Sequence, residues 1–127
     1  MQITEGLVVP MQASAALTKF RFVKQTGTQT VAPNAAINTQ SVGVVQQDVS
    51  AGEAALGKTV PVYTEGIMWV EAGAAISLGA RVMSDSSGRA VTLATAGSFP
   101  TGLARKAAGG AGELVPVELD CKQAPLP

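Results

Sequence analysis

Apolar and polar residues alternate with a period of two along most of this chain, the spacing that sends successive side chains to opposite faces of a β-strand. The clearest run is Thr59 to Val91. Val60 and Val62 share one face of a strand whose other face carries Thr59, Pro61 and Tyr63, and a turn at Glu65-Gly66 follows. Ile67-Met68-Trp69-Val70 is apolar on both faces, which predicts a strand covered on both sides, by the chain's own core or by a partner. Small residues from Gly73 to Gly79 lead to a second pair, Arg81 to Ser84 and Arg89 to Leu93, joined through Asp85-Ser86-Ser87-Gly88. Asp and Gly at the ends of that joint are hairpin residues. The whole run reads as two successive hairpins.

Before it, residues 1–16 mix short apolar pieces (Leu7-Val8-Val9) with Pro10 and the small run Ala13 to Ala16, and read as an extended N-terminal arm. Leu17 to Lys24 alternates, with Phe20 and Phe22 on one face and Lys19 and Arg21 on the other. Gln25 to Gln40 is a polar loop with a short irregular strand at Gln29-Thr30-Val31, and Ser41 to Asp48 returns to β character through Val42, Val44 and Val45. Ser50 followed by Glu53 has the form of a capping box, so Ala51 to Leu56 closes one short helical turn.

The last third holds a strand at Thr101 to Arg105, a glycine-rich turn from Ala107 to Gly112, and a strand in which Val115, Val117 and Leu119 share a face. Pro61 and Pro116 cannot donate to a ladder and so predict edges or bulges. Ala51-Gly52-Glu53 leading to Val60-Pro61-Val62 is echoed by Ala111-Gly112-Glu113 leading to Val115-Pro116-Val117, a worn repeat or chance. The pattern predicts an all-β protein, a small β-sandwich or barrel of about eight short strands. Its parts are an arm over residues 1–16, a β domain over 17–121 and a loose tail over 122–127.

Composition narrows the chemistry. The 127 residues suffice for one domain with a core. Aromatics are only 4%, so that core is built from Val, Leu, Ile and Ala. Nine basic and nine acidic residues cancel, which removes the electrostatic reason to expect nucleic acid or an anionic membrane as partner. A charged content of 14%, against roughly 25% in an average domain, suggests a surface that meets other protein. Histidine is absent and Cys121 stands alone, which excludes Ser-His and Cys-His catalysis, His-ligated metal and a disulfide framework. No catalytic, cofactor or metal residues are predicted. The start lacks the features of a signal peptide, and synthesis in a reducing cytosol is the expectation.

One chemical motif needs weighing. Gly52-Glu53-Ala54-Ala55-Leu56-Gly57-Lys58-Thr59 has the spacing of a phosphate-binding loop. Such a loop requires a helix starting at its Lys-Thr, and here Val60-Pro61-Val62-Tyr63 follows, where β-branching and proline both oppose a helix. Nucleotide binding through Gly52 to Thr59 is therefore a distant alternative to a turn that feeds a strand.

Taken together, Ser41-Val42-Gly43-Val44, Ser50 to Glu53, Val60-Pro61-Val62 to Ile67, Gly79 to Val82, Asp85 to Gly88, Gly102-Leu103-Ala104 and Gly112 to Leu119 resemble the capsid decoration, or cement, proteins of tailed bacteriophages. The resemblance runs from about Leu17 to Leu119; the loop Gln25 to Gln40 and the proline-containing tail depart from it. It implies a structural virion protein without enzymatic activity or cofactor, made in the host cytoplasm, that binds the outer surface of the assembled capsid and stabilises it. The implied partners are the major capsid protein and further copies of the chain, a trimer favoured over a dimer. On this reading Ile3, Leu7 and Val8 are candidate capsid contacts, by strand addition. Ile67, Met68, Trp69 and Val70 are candidate oligomer contacts, with either Ile67 and Trp69 or Met68 and Val70 meeting the next subunit. A β-rich interaction module such as a tail or baseplate component is the alternative. A carbohydrate module needs exposed aromatic platforms, for which Tyr63 and Trp69 are too few.

Overall fold

The computed structural model describes residues 4–127, which form eleven strands and one short helix. Strand β1 (Thr4–Glu5) is followed by β2 (Val8–Ala13), β3 (Arg21–Gly27), β4 (Thr30–Pro33), β5 (Gly43–Val45), helix α1 (Ala51–Ala55) and β6 (Thr59–Tyr63). Strands β2 to β6 close a barrel in the order β2-β4-β3-β5-β6, with β2 and β4 parallel. After Thr64 come β7 (Glu65–Glu71), β8 (Arg81–Ser84), β9 (Ala90–Thr92), β10 (Pro100–Ala104) and β11 (Leu114–Asp120). They form a second sheet in the order β7-β11-β10-β8-β9, and β1 extends it on the free side of β7.

The two sets of five strands are one pattern used twice. In the first, Val8, Val9, Pro10, Met11 and Gln12 stand opposite Tyr63, Val62, Pro61, Val60 and Thr59. In the second, Ile67, Met68, Trp69, Val70 and Glu71 stand opposite Glu118, Val117, Pro116, Val115 and Leu114. The step is 59 positions on the first strand (67 less 8) and 55 on the last (118 less 63). The remaining pairings obey it: Val23–Pro33 recurs as Val82–Thr92, Phe22–Val44 as Arg81–Leu103, and Val44–Tyr63 as Leu103–Glu118. The isolated bridge Leu17–Val49 recurs as Ile76–Ala108. Phe20, whose φ is +63°, recurs as Gly79 at +82°, and their amides donate to Val45 and Ala104. The step shortens between Val49 and Thr59, where the first unit carries α1 and the second a tight turn.

Each unit has its own core. Val23, Val31, Val45, Val60 and Val62 point into the first barrel with Met11 and Leu17. Met68, Val70, Val82, Val115 and Val117 fill the second. The step from one to the other is the joint at Thr64, so the hairpin expected between Val60–Tyr63 and Ile67–Val70 does not form. β6 turns back on β2 and β5, β7 pairs with β1 and β11, and the apolar faces of the two strands enter different cores.

Several further expectations change. Val8–Ala13, placed by the sequence in an arm, is a barrel strand, because Val9, Met11 and Ala13 supply one apolar face. The prolines occupy interior strands. Pro116 lies one residue beyond Ala104–Val117, the last ladder pair between β10 and β11, so its missing N–H interrupts nothing. Pro61 lies in the same place beyond Val45–Val62. The tail is tied down, since Leu126 donates to Ser98 and accepts from Gly97. The capping box forms as read, with Ser50 and Glu53 bonding reciprocally, and so does the Asp85–Gly88 turn, where Asp85 Oδ1 accepts from the amides of Ser87 and Arg89.

Candidate functional site: outward surfaces

The catalytic pattern dissolves first. In Gly52 to Thr59 the helix precedes the Lys-Thr pair, β6 starts at Thr59, and Lys58 Nζ pairs with Glu53 Oε2 at 3.7 Å. The Glu53 carboxyl is held below the usual carboxylate range by the Ser50 backbone amide, then by its hydroxyl. Both capping partners are thus used within the turn, and no open cradle of amides remains.

A dense charge cluster among the described residues also has its charges matched. Glu71 lies 3.4 Å from Arg21 and 3.8 Å from Arg89, whose Nε is 3.3 Å from Asp85 but too far off line to hydrogen-bond it. Two cations meet two anions. Arg21 belongs to the first unit and the other three to the second, so the cluster clamps the units together. The basic face read on β3 is in part this clamp.

Cys121 is buried, and its Sγ lies 3.7 Å from the Thr101 carbonyl oxygen. Burial first and the Asp120 charge second push the thiol up to about 12, so it is an inert buried hydrophobe. No group of three or more His, Cys, Asp or Glu able to hold a metal occurs among the described residues.

What remains is surface. An open groove of about 450 Å³ runs where the chain passes from β1 on the second sheet to β2 of the first barrel, lined by Leu7, Val9, Val42, Thr64, Cys121 and Lys122. Leu7 is 52% exposed there, while its carbonyl accepts from the amide and hydroxyl of Thr64. Val8 is half-buried and Ile3 lies outside the described residues. A second groove, of about 490 Å³, adjoins β7 and β11 and includes Ile67.

On β7 the alternation separates the four candidate oligomer residues. Met68 and Val70 point into the core at 3% and 0% exposure and so cannot meet another subunit. Ile67 and Trp69 face outward, half-buried, with Trp69 opposite Pro116 and its carbonyl accepting from Gln46 Nε2 at 2.9 Å. Leu56 at 90% and Leu78 at 70% exposure are apolar tips that the sequence reading did not single out. Leu56 follows a helix too short to bury it, a signal the chain carries in Gly57.

The comparisons agree with this picture. The family model described as phage cement protein matches residues 1–119. The chain is similar in fold to the crystal structure of the head fiber gp8.5 N base in bacteriophage phi29, at a TM-score of 0.68 and 22% identity, over 93% of this chain and 97% of that one. No curated protein matches.

Proposed function

The chain belongs to the phage cement protein family, and from that premise we propose that it binds the outer surface of the assembled capsid and stabilises it. Membership makes it a structural protein of the phage virion. The observation that carries the finer reading is the family match over residues 1–119, which takes in both units. The head fiber similarity supports a position on the head.

The mechanism is mass action. A protein that binds only the assembled shell stabilises it by its binding free energy, and many copies that each touch neighbouring capsid subunits add up. The first groove is mostly apolar and uncharged apart from Lys122, and the second sets Ile67 among Glu65, Glu118, Asp120 and Lys122. Leu7 at the first groove and its neighbour Val8 are the capsid contact, together with Ile3. Ile67 and Trp69 are the self-contact, with threefold association favoured over twofold. The major capsid protein is the partner.

The test is co-sedimentation of the purified protein with empty expanded heads. The protein is expected in the pellet, and the decorated heads are expected to disrupt at higher temperature than bare ones. Protein that stays in the supernatant at every concentration would overturn the reading. Rings or tubes formed without heads would favour a tail component.

A further inference from the structure

The two units differ along one strand edge. On the β4 side of β2 the amides of Gln12 and Ser14 donate to the carbonyls of Gln29 and Val31. Strand alternation turns the amide of Val8 and the carbonyls of Val8 and Pro10 to that same side. β4 does not reach them, because it begins at Thr30, opposite Gln12. No strand among the described residues pairs with Val8 or Pro10 on that side.

In the second unit the equivalent edge is filled. Ile67, 59 positions after Val8, pairs with Thr4 of the antiparallel strand β1. The carbonyl of Trp69, the counterpart of Pro10, accepts from Gln46 Nε2. The amide of Glu71 donates to Phe20 and that of Gly73 to Ala90. The chain thus lays a strand on one copy of this edge and leaves the other copy bare among the described residues.

The groove of about 450 Å³ adjoins the bare copy. Leu7 and Val9 line it from the β2 side, and Gln25 from β3. Its polar walls are already engaged: Gln25 Nε2 donates to the Gly27 and Thr28 carbonyls, Gln40 Nε2 to the Cys121 carbonyl, and Lys122 Nζ to Glu65. What the groove offers an incoming side chain is Leu7, Val9 and Val42. Backbone pairing for affinity and an apolar pocket for alternate side chains are the two parts of a strand-addition site.

Building on the capsid-binding reading, we propose that the edge of β2 at Val8 receives an extended apolar segment of the capsid protein. That segment runs antiparallel to β2, as β1 does to β7, and lays an apolar side chain in the groove. Pro10 has no N–H to give, so the pairing centres on Val8 and the segment is short. A second copy of this chain does not supply it, since β1, the stretch that fits such an edge, is already paired with β7 of its own molecule.

The test removes the one amide. Val8→Pro deletes an N–H that no ladder of the protein uses, whereas Val8→Thr keeps the amide and the branched shape. With empty expanded heads, Val8→Pro should co-sediment roughly tenfold more weakly than the parent, and Val8→Thr within about twofold of it. Hydrogen exchange on the parent gives a second readout that needs no variant to fold. On decorated heads the Val8 amide should gain protection, while Val9 and Met11, already bonded to β6, change little. A parent that binds heads with its Val8 amide still exchanging freely, or a folded Val8→Pro that binds as the parent does, overturns strand addition and leaves the capsid reading standing. A parent that does not bind heads at all overturns both. Protection of Val8 that rises with protein concentration in the absence of heads would make a second copy the occupant and overturn the proposal.

Discussion

Gly43 and Gly102, 59 positions apart, each lie beneath a carbonyl oxygen of the last strand of their own unit, that of Tyr63 and that of Glu118. A Cβ on either would run into that oxygen and would stand 3.0 Å from a valine Cγ1, of Val62 in one unit and Val117 in the other. The same strand crossing is thus built twice with the same missing side chain. Gly43→Ala and Gly102→Ala are each expected to lower stability in urea by about 1–3 kcal/mol, the usual cost of overpacking. Gly110→Ala, in open space, should stay within about 0.5 kcal/mol of the parent. An unchanged midpoint for either of the first two would mean that backbone approach does not fix glycine there.

Phe22 belongs by sequence to the first unit and by packing to the second. Its truncation to alanine is expected to cost about 3–5 kcal/mol, as for a fully buried aromatic. The informative reading is Trp69, which lies in the second unit. Unfolding followed by tryptophan emission should shift as far as unfolding followed by far-UV circular dichroism. A shift in the circular dichroism transition alone would mean that the second core does not depend on this residue.

The β period made most strands legible, since Val60 and Val62, Val115, Val117 and Leu119, and the Asp85–Gly88 turn all formed where alternation and turn residues put them. The number of cores was not legible. Strand alternation tells which side chains share a face but not which core the face enters, so β6 and β7 looked like one hairpin. The duplication was read only from the echo of Val60-Pro61-Val62 in Val115-Pro116-Val117, although Ala15-Ala16-Leu17 also returns as Ala74-Ala75-Ile76. In the row outside each barrel the paired positions differ in chemistry, Phe22 against Arg81 and Tyr63 against Glu118, because one row is buried and its twin is wet. At the surface, alternation on β7 narrowed the candidates to two pairs, and burial of Met68 and Val70 leaves Ile67 and Trp69.

Cys121 makes stability depend on alkaline pH. Burial holds its folded pKa at about 12, above the 9.0 of a free thiol, so the unfolded thiol loses its proton first. The contribution is complete below pH 9 and is lost progressively as pH rises from there towards 12. The melting temperature of the parent should therefore fall across that range more steeply than that of Cys121→Ala. In the native protein at neutral pH the thiol should resist a maleimide that labels it at once in denaturant. Parallel pH profiles for the two proteins would show that the buried thiol is not the group responsible.

The last prediction separates the fold from the proposed capsid contact at the N-terminal segment. Removing residues 1–9 takes away the pairs Thr4–Ile67, Glu5–Gly66, Val8–Tyr63 and Val9–Val62, and with them a wall of both units. That truncation is expected to lower the melting temperature markedly, so its loss of binding would say nothing about contact. Leu7→Asp is the cleaner change. The Leu7 side chain is half exposed, and the bonds from Thr64 go to its carbonyl, which the substitution keeps. Stability should stay within about 0.5 kcal/mol. Burying a carboxylate against an apolar capsid surface should weaken co-sedimentation with expanded heads by roughly tenfold or more, about 1.4 kcal/mol. Ile67→Asp, at the proposed self-contact, should instead lower the oligomeric state measured without heads. If Leu7→Asp sediments with heads as well as the parent, the capsid contact lies on another face, and the exposed Leu56 and Leu78 are the next positions to change.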